Sequence, residues 1–251
     1  MQFDNAEMAA VAQALAPSTA PALPRLDLYA GIHKALRAAM ADTLLALGRC
    51  DPQDADDLDE AAERVRSLLC FCAKHLEHEN AFVHTAMEAR APGSSGAAAQ
   101  EHVAHVAAID TLRAELGQLL AGPEAARAAL LLRFYQRLSL FVAENFEHML
   151  VEETRHNAVL WARYSDAELA QVHNNLVASI PPAEMMDTLR WLLPHMHHGE
   201  RVGMLSDMQA HAPAPAFDAA LAVARFHLSE RDWHKLGLAL QLPVAAQSCS
   251  S

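Results

Sequence analysis

The sequence has few cysteines, few basic residues and no long apolar run, and each shortage excludes a class of protein. Four Cys in 251 residues form no Cys-x-x-Cys and do not suggest a disulfide framework. Nineteen Lys and Arg against 31 Asp and Glu give a net charge of −12, which argues against nucleic-acid or anionic-membrane partners. Charged residues interrupt every apolar stretch before it reaches the roughly 20 residues that span a bilayer. No Lys or Arg precedes Arg25, so a secretory leader is not expected. We therefore expect a soluble, cytoplasmic protein.

Apolar residues recur at helical spacing, and no stretch is typical of a strand, so we predict an all-α fold. Four long helices form an antiparallel four-helix bundle in this prediction, with a C-terminal helical extension. The predicted helices cover about 27–47, 53–89, 97–120 and 124–161. We assign 1–24 to a flexible N-terminal tail, 25–164 to the bundle, and 165–251 to a helical cap or homo-oligomer interface rich in Met.

Three His-x-x-x-Glu pairs occur, and a four-residue step keeps both side chains on one face of a helix. Two of the pairs continue the apolar rows of their helices: His75 with Glu79, and His148 with Glu152. His84 lies nine residues after His75, which is about half a turn away on a regular α-helix. We therefore expect His84 to face solvent and exclude it from the site.

The positions of the predicted turns indicate that these pairs lie at one depth of the bundle. In an antiparallel bundle, residues at equal height on consecutive helices have the turn near their sequence midpoint. The midpoints that join His33, the His75 pair, His102 and the His148 pair fall near residues 55, 90 and 126. Each midpoint lies close to a Pro-containing helix breaker: Asp51-Pro52, Pro92-Gly93 and Gly122-Pro123. Because the midpoints coincide with the predicted turns, we expect these side chains to lie in one layer of the bundle.

Imidazole and carboxylate groups together suit iron and similar divalent metals. We predict a site with two metal ions, most simply a di-iron centre with an oxo or hydroxo bridge, in which both Glu residues bridge the ions. Six side chains supply too few donors to saturate two octahedral ions, so a diatomic molecule or peroxide could bind at the open positions. The predicted ligands are His33, His75, Glu79, His102, His148 and Glu152. His105 lies about 60° around its helix from His102 and stays open as a fifth His ligand or as a hydrogen-bond donor to a ligand.

The ordered motifs resemble the hemerythrin-like, or HHE cation-binding, domain family over about residues 25–164. They are His33, His75-Leu-Glu-His-Glu79, Glu101-His102 and His148-Met-Leu-Val-Glu152. The resemblance implies a four-helix bundle with a non-haem di-iron centre and these six ligands. The four-His, two-Glu set is more similar to the repair-of-iron-centres proteins than to the oxygen-carrying hemerythrins. It implies a role in oxidative or nitrosative stress, or in the repair of iron centres.

Other readings of the sequence remain beside this one. The centre could serve a non-catalytic oxygen, nitric oxide or iron sensor, or a zinc-bound structural bundle, so the sequence leaves open whether the protein is an enzyme. A ferritin-like site should show two Glu-x-x-His motifs, whereas we find only Glu153 with His156. A second His-rich cluster is interpreted as a solvated loop, since Pro194 and Gly199 break any fixed spacing: His195, His197, His198 and Glu200.

Overall fold

A computed structural model describes residues 9, 11–13 and 25–242 of the chain. Within those residues the secondary structure is helical and no strand occurs, so the all-α prediction is confirmed for this part of the chain. Most of the predicted N-terminal tail, 1–24, lies outside the described residues. The chain divides into two compact units between Ser179 and Ile180.

The first unit contains seven α-helices among its described residues from 25 onward, and two π-helical turns, π1 and π2. They run in the order α1 Ala30–Gly48, α2 Ala55–His78, π1 Glu79–His84, α3 Thr85–Arg90, α4 Gly96–Ala121, α5 Glu124–Val151, π2 Glu152–His156, α6 Asn157–Arg163 and α7 Asp166–Ser179. Helix α1 packs against α2 and α5, and α4 packs against the same two helices. Because π1 and π2 each continue directly into an α-helix, the four long predicted helices are present within a few residues of their predicted ends.

Local hydrogen bonds explain where these helices begin. The Asp27 carboxylate accepts hydrogen bonds from the backbone N–H groups of Tyr29 and Ala30, at 2.8 and 3.0 Å, as predicted for a helix start. Asp54 caps α2 by accepting from two N–H groups in its first turn. Between α3 and α4 the chain turns at Gly93, whose φ of +83° is readily adopted only by glycine.

Two long helices change into a π-helical turn at a predicted ligand. Glu79 is the first residue of π1, and Glu152 is the first residue of π2. A π-turn holds one residue more than an α-turn, so it rotates every later side chain around the helix axis, and such turns are frequent at functional sites. Side-chain directions after Glu79 therefore differ from those that a regular α-helix predicts.

Helix α7 contributes to an apolar cluster of the first unit. Its buried residue is Leu169, which packs in a cluster with Tyr29, Val83, Met87 and Leu160. A capping box forms the start of α7: Ser165 N–H donates to Glu168 at 2.8 Å, and Glu168 N–H donates to Ser165 Oγ at 3.3 Å. We assigned α7 to the C-terminal segment from the sequence, but it belongs to the first compact unit.

The described part of the second unit contains four helices: α8 Pro182–His195, α9 His198–His211, α10 Ala214–His227 and α11 Glu230–Ala239. Helix α10 packs against α8 and α9, and α9 also packs against α11. The His-rich cluster spans the junction of two helices: His195 is the last residue of α8, and His197 caps α9 in a reciprocal capping box with Glu200. Five Met residues are partly exposed in this unit: Met185, Met186, Met196, Met204 and Met208. Its role as a cap or oligomer interface stays a prediction.

No helix in residues 25–242 combines the length and the apolar character that crossing a membrane requires.

Candidate metal centre

The structure brings the six predicted ligand residues together inside the first unit. Their ligand atoms form two groups, and within each group all atoms lie within 4.8 Å of one another. We call these groups the first position (His33, His75, Glu79 and Glu152) and the second position (Glu79, His102, His148 and Glu152). Both carboxylates belong to both positions, while each position has its own pair of His residues.

Glu79 directs one carboxylate oxygen to each position. Its Oε1 lies 3.5 Å from His33 Nε2 and 3.2 Å from His75 Nε2 in the first position. Its Oε2 lies 3.5 Å from His102 Nε2 in the second position. This arrangement is the one that a carboxylate bridging two cations requires.

Glu152 likewise directs one carboxylate oxygen to each position. Its Oε2 lies 3.6 Å from His33 Nε2, and its Oε1 lies 3.5 Å from His102 Nε2 and 3.3 Å from His148 Nε2. The Nε2 atoms of His102 and His148 are 2.9 Å apart. Two ligand atoms that share one ion at about 2.0–2.2 Å are separated by roughly 2.9–3.5 Å. The measured separations fall close to that interval.

Burial makes these side chains costly unless a cation accompanies them. Glu79 and Glu152 are 3% and 0% exposed, and none of their four carboxylate oxygens has a hydrogen-bond partner. The Nε2 atoms of His33 and His75 are also buried without a partner. An uncompensated buried charge costs several kcal/mol, about the penalty that a paired cation offsets. The buried His and Glu residues therefore fit a group that could hold metal ions.

Hydrogen bonds on the outer side of three imidazoles orient their Nε2 atoms towards the centre. Each Nδ1 faces a side-chain oxygen: His33 Nδ1 to Glu153 Oε1 at 3.1 Å, His102 Nδ1 to Asn80 Oδ1 at 2.8 Å, and His148 Nδ1 to Glu101 Oε2 at 2.6 Å. A carboxylate or amide oxygen accepts a hydrogen, so each Nδ1 donates and each Nε2 remains to bind a proton or a metal ion. This pattern is common among metal-binding histidines.

Glu153 is itself held in place. Both terminal nitrogens of Arg37 donate to its carboxylate, at 2.5 and 3.1 Å. Burial alone would raise the pKa of Glu153, but the hydrogen bonds from His33 and Arg37 outweigh burial and lower it. Glu153 therefore stays ionised at neutral pH and orients His33.

The two carboxylates attract protons to two of the four imidazoles. Burial opposes protonation of His33, yet its hydrogen bond to Glu153 and the nearby negative charge of Glu79 raise its pKa to about 9. Burial likewise opposes protonation of His148, but the charge of Glu152 and the bond to Glu101 raise its pKa to about 10. The pKa of His75 is instead lowered, by burial and by the neighbouring His33. A metal ion bound at this centre would have to compete with these protons.

The sequence left open the role of His105, which lies on α4 with His102, and the structure places both residues relative to the two groups of ligand atoms. His102 belongs to the second position, whereas His105 belongs to neither. The His105 ring lies 4.8 Å from that of His148 and 6.3 Å from that of Phe141, and its side chain is buried. Burial and the charge of His148 lower the pKa of His105 to about 3. His105 packs behind His148.

The prediction that His84 faces solvent is wrong. His84 is 5% exposed, and its ring stacks on that of His102 at 4.8 Å. The cause is π1: in a π-helix a residue shares its face with the one five positions later, so Glu79 and His84 point the same way. His156, at the end of π2, is equally buried and forms a third group with His84 and Glu152. Apolar spacing carries no signal for a π-turn.

Four large apolar residues of the helical segments that carry the ligand residues differ in their burial. Leu36, Ile109 and Phe141 are buried, whereas Phe82 is partly exposed. The partners Asn80, Glu101 and Glu153 were not assigned this role from the sequence. All three adjoin a predicted ligand in the sequence, since Asn80 follows Glu79, Glu101 precedes His102 and Glu153 follows Glu152, and this is the one sequence signal that could have indicated them.

Comparison of the chain with protein-family models, with curated proteins and with solved structures finds no match in any of the three.

Proposed function

We propose that this protein is a non-haem di-iron protein, in which an antiparallel four-helix bundle of the hemerythrin-like type holds the two irons. In this proposal the reduced centre binds or reacts with oxygen, nitric oxide or peroxide. The observation that carries it is the division of the Glu79 and Glu152 oxygens between two His pairs. A site for a single ion needs no such division.

The number of donors supports a reactive centre. Each position receives two imidazole nitrogens and two carboxylate oxygens, which is four protein donors. An octahedral ion takes about six donors, so roughly two sites on each ion stay open to solvent or a small ligand. Two ferrous ions held by these residues would supply electrons and open coordination sites to a small molecule.

The bridging carboxylates, the residues that orient the imidazoles and the apolar residues contribute to this function in different ways. Glu79 and Glu152 would hold both ions, and their carboxylates would tolerate a change in the charge of the ions. Glu101, Asn80 and Glu153 fix three imidazole rings, so that little reorganisation follows a change of oxidation state. The helices that carry the ligand residues also bury Leu36, Ile109 and Phe141, and we infer that these side chains keep the surroundings of the centre apolar. Such surroundings favour small uncharged molecules, because a charged substrate would lose its hydration there.

The resemblance to the repair-of-iron-centres proteins extends the proposal to oxidative and nitrosative stress. A centre that reacts with nitric oxide or peroxide in a dry site would serve such a role without a large substrate pocket.

Rapid mixing of the anaerobically reduced, iron-loaded protein with oxygen or nitric oxide tests this function. We expect a change in visible absorption, and an altered or lost change in the His148→Ala variant. His211→Ala alters an exposed histidine of the second unit and serves as the matched control, which should respond like the unaltered protein. Zinc as the native metal, or an iron-loaded protein whose spectrum stays constant, would support a structural site instead.

A further inference from the structure

We propose that His84, His156 and Glu152 form a third metal-binding position beside the two-metal centre. This inference rests on the proposed di-iron function, because it shares Glu152 with the second position. It extends that function by assigning two histidines outside the six ligands.

The three side chains converge on one point. His84 Nε2 and His156 Nδ1 each lie 4.0 Å from Glu152 Oε1. The three ligand atoms lie within 4.8 Å of one another, as in the first and second positions. The rings of His84 and His156 are edge to face, with centroids 5.5 Å apart, so their nitrogens approach Glu152 from two directions. A cation that drew these atoms slightly inward would contact all three.

An ordinary packing role does not account for His84. Its side chain is 5% exposed, and both ring nitrogens are buried without a hydrogen-bond partner. Leaving a buried donor or acceptor unpaired costs about 1–3 kcal/mol. An apolar residue of similar size would fill the same space without that cost. The π1 turn moreover rotates this imidazole inward, when a regular α-helix would direct it away from the centre.

Tyr29 competes with a metal ion for one of the three donors. The Tyr29 hydroxyl lies 3.1 Å from His156 Nδ1, in a fully buried pair. A metal ion bound to this nitrogen must displace the hydroxyl, and it must also share Glu152 Oε1 with the second position. The third position therefore binds its ion more weakly than the other two bind theirs, and it fills after them.

Titration of the metal-free protein with Co²⁺ tests the proposal, with bound cobalt counted by equilibrium dialysis and its coordination followed by visible absorption. We expect two ions to bind first and a third, weaker ion to follow. The double variant His84→Phe, His156→Phe keeps ring-sized side chains and should bind two ions with the same early spectrum. His105→Phe changes a buried histidine outside all three groups and should still bind three.

Three outcomes overturn the proposal and separate it from the di-iron function. Saturation of the unaltered protein at two ions refutes the third position alone, and this result needs no variant to fold. A third ion retained by the folded double variant also refutes it. Binding of no cobalt at all would remove the two-metal centre together with the third position.

Discussion

Loading of the metal-free protein should release protons, because the carboxylates of the centre hold protons on two of its ligands. The pKa of His33 is raised to about 9 and that of His148 to about 10. Both imidazoles are therefore protonated at pH 7 when no metal is bound. A metal ion takes the same Nε2 lone pair, so each of these ligands must lose a proton before it can bind.

The number of protons released follows from these two pKa values. At pH 7 the two ligands together release about two protons, and metal affinity rises about tenfold per pH unit for each proton released. We therefore expect the product of the two metal affinities to rise about a hundredfold from pH 7 to pH 8. Above pH 9 His33 is already deprotonated, so the slope of log affinity against pH should fall to that of about one released proton. His75 adds no proton, since its pKa is lowered.

Calorimetric titration with Co²⁺ in two buffers of different protonation enthalpy measures the number of protons directly. The His33→Ala variant should release about one proton fewer, because it lacks one of the two protonated ligands. His211→Ala should release the same number as the unaltered protein, since that side chain is exposed and outside the site. Heats that do not depend on the buffer, or an affinity that stays constant from pH 7 to pH 8, would refute this account of the electrostatics.

Three further predictions concern the surroundings of the centre. Glu101→Gln should weaken metal binding by about 10–100-fold without unfolding the protein, since it loosens the orientation of His148. Dialysis against a chelator measures the metal affinity, and an unchanged affinity would contradict this prediction. The stabilisation that His33 and His148 give the metal-free protein should be complete below their unfolded pKa near 6.5, and should be lost as pH rises through about 9–10, because both folded pKa values are raised. Thermal unfolding with a chelator present should therefore show Tm falling over that range. Leu169→Ala should destabilise the first unit by about 2–5 kcal/mol, measured by denaturant unfolding, since it removes the buried residue of α7; a loss near zero would show that α7 does not stabilise the unit.

Much of the fold and of the centre could be predicted because it depends on residues that lie close together in the sequence. Apolar periodicity located the four long helices, and Pro and Gly residues located their turns. A four-residue step placed His75 with Glu79 and His148 with Glu152 on common faces, and the structure brings these pairs together. The identity of the metal and the function stay predictions, since no distance between ligand atoms determines them.

The errors and omissions have two causes, an irregular helical turn and contacts between residues that are distant in the sequence. His84 was misplaced because the π1 turn changes the helical period after Glu79, and amino-acid spacing does not record such a turn. The bond between His33 and Glu153 joins residues 120 positions apart, so only the packing of α1 against the α5–π2 segment reveals it. Sequence spacing indicates which face of a helix a residue occupies, whereas its partner on another helix depends on the assembled fold.

Anomalous X-ray diffraction at the iron absorption edge, from crystals of protein purified without added metal, tests the central claim most directly. The account predicts two iron peaks, one between His33 and His75 and one between His102 and His148, with an oxygen of Glu79 and an oxygen of Glu152 bound to each. A single peak, no iron, or iron bound only outside these two positions would contradict it.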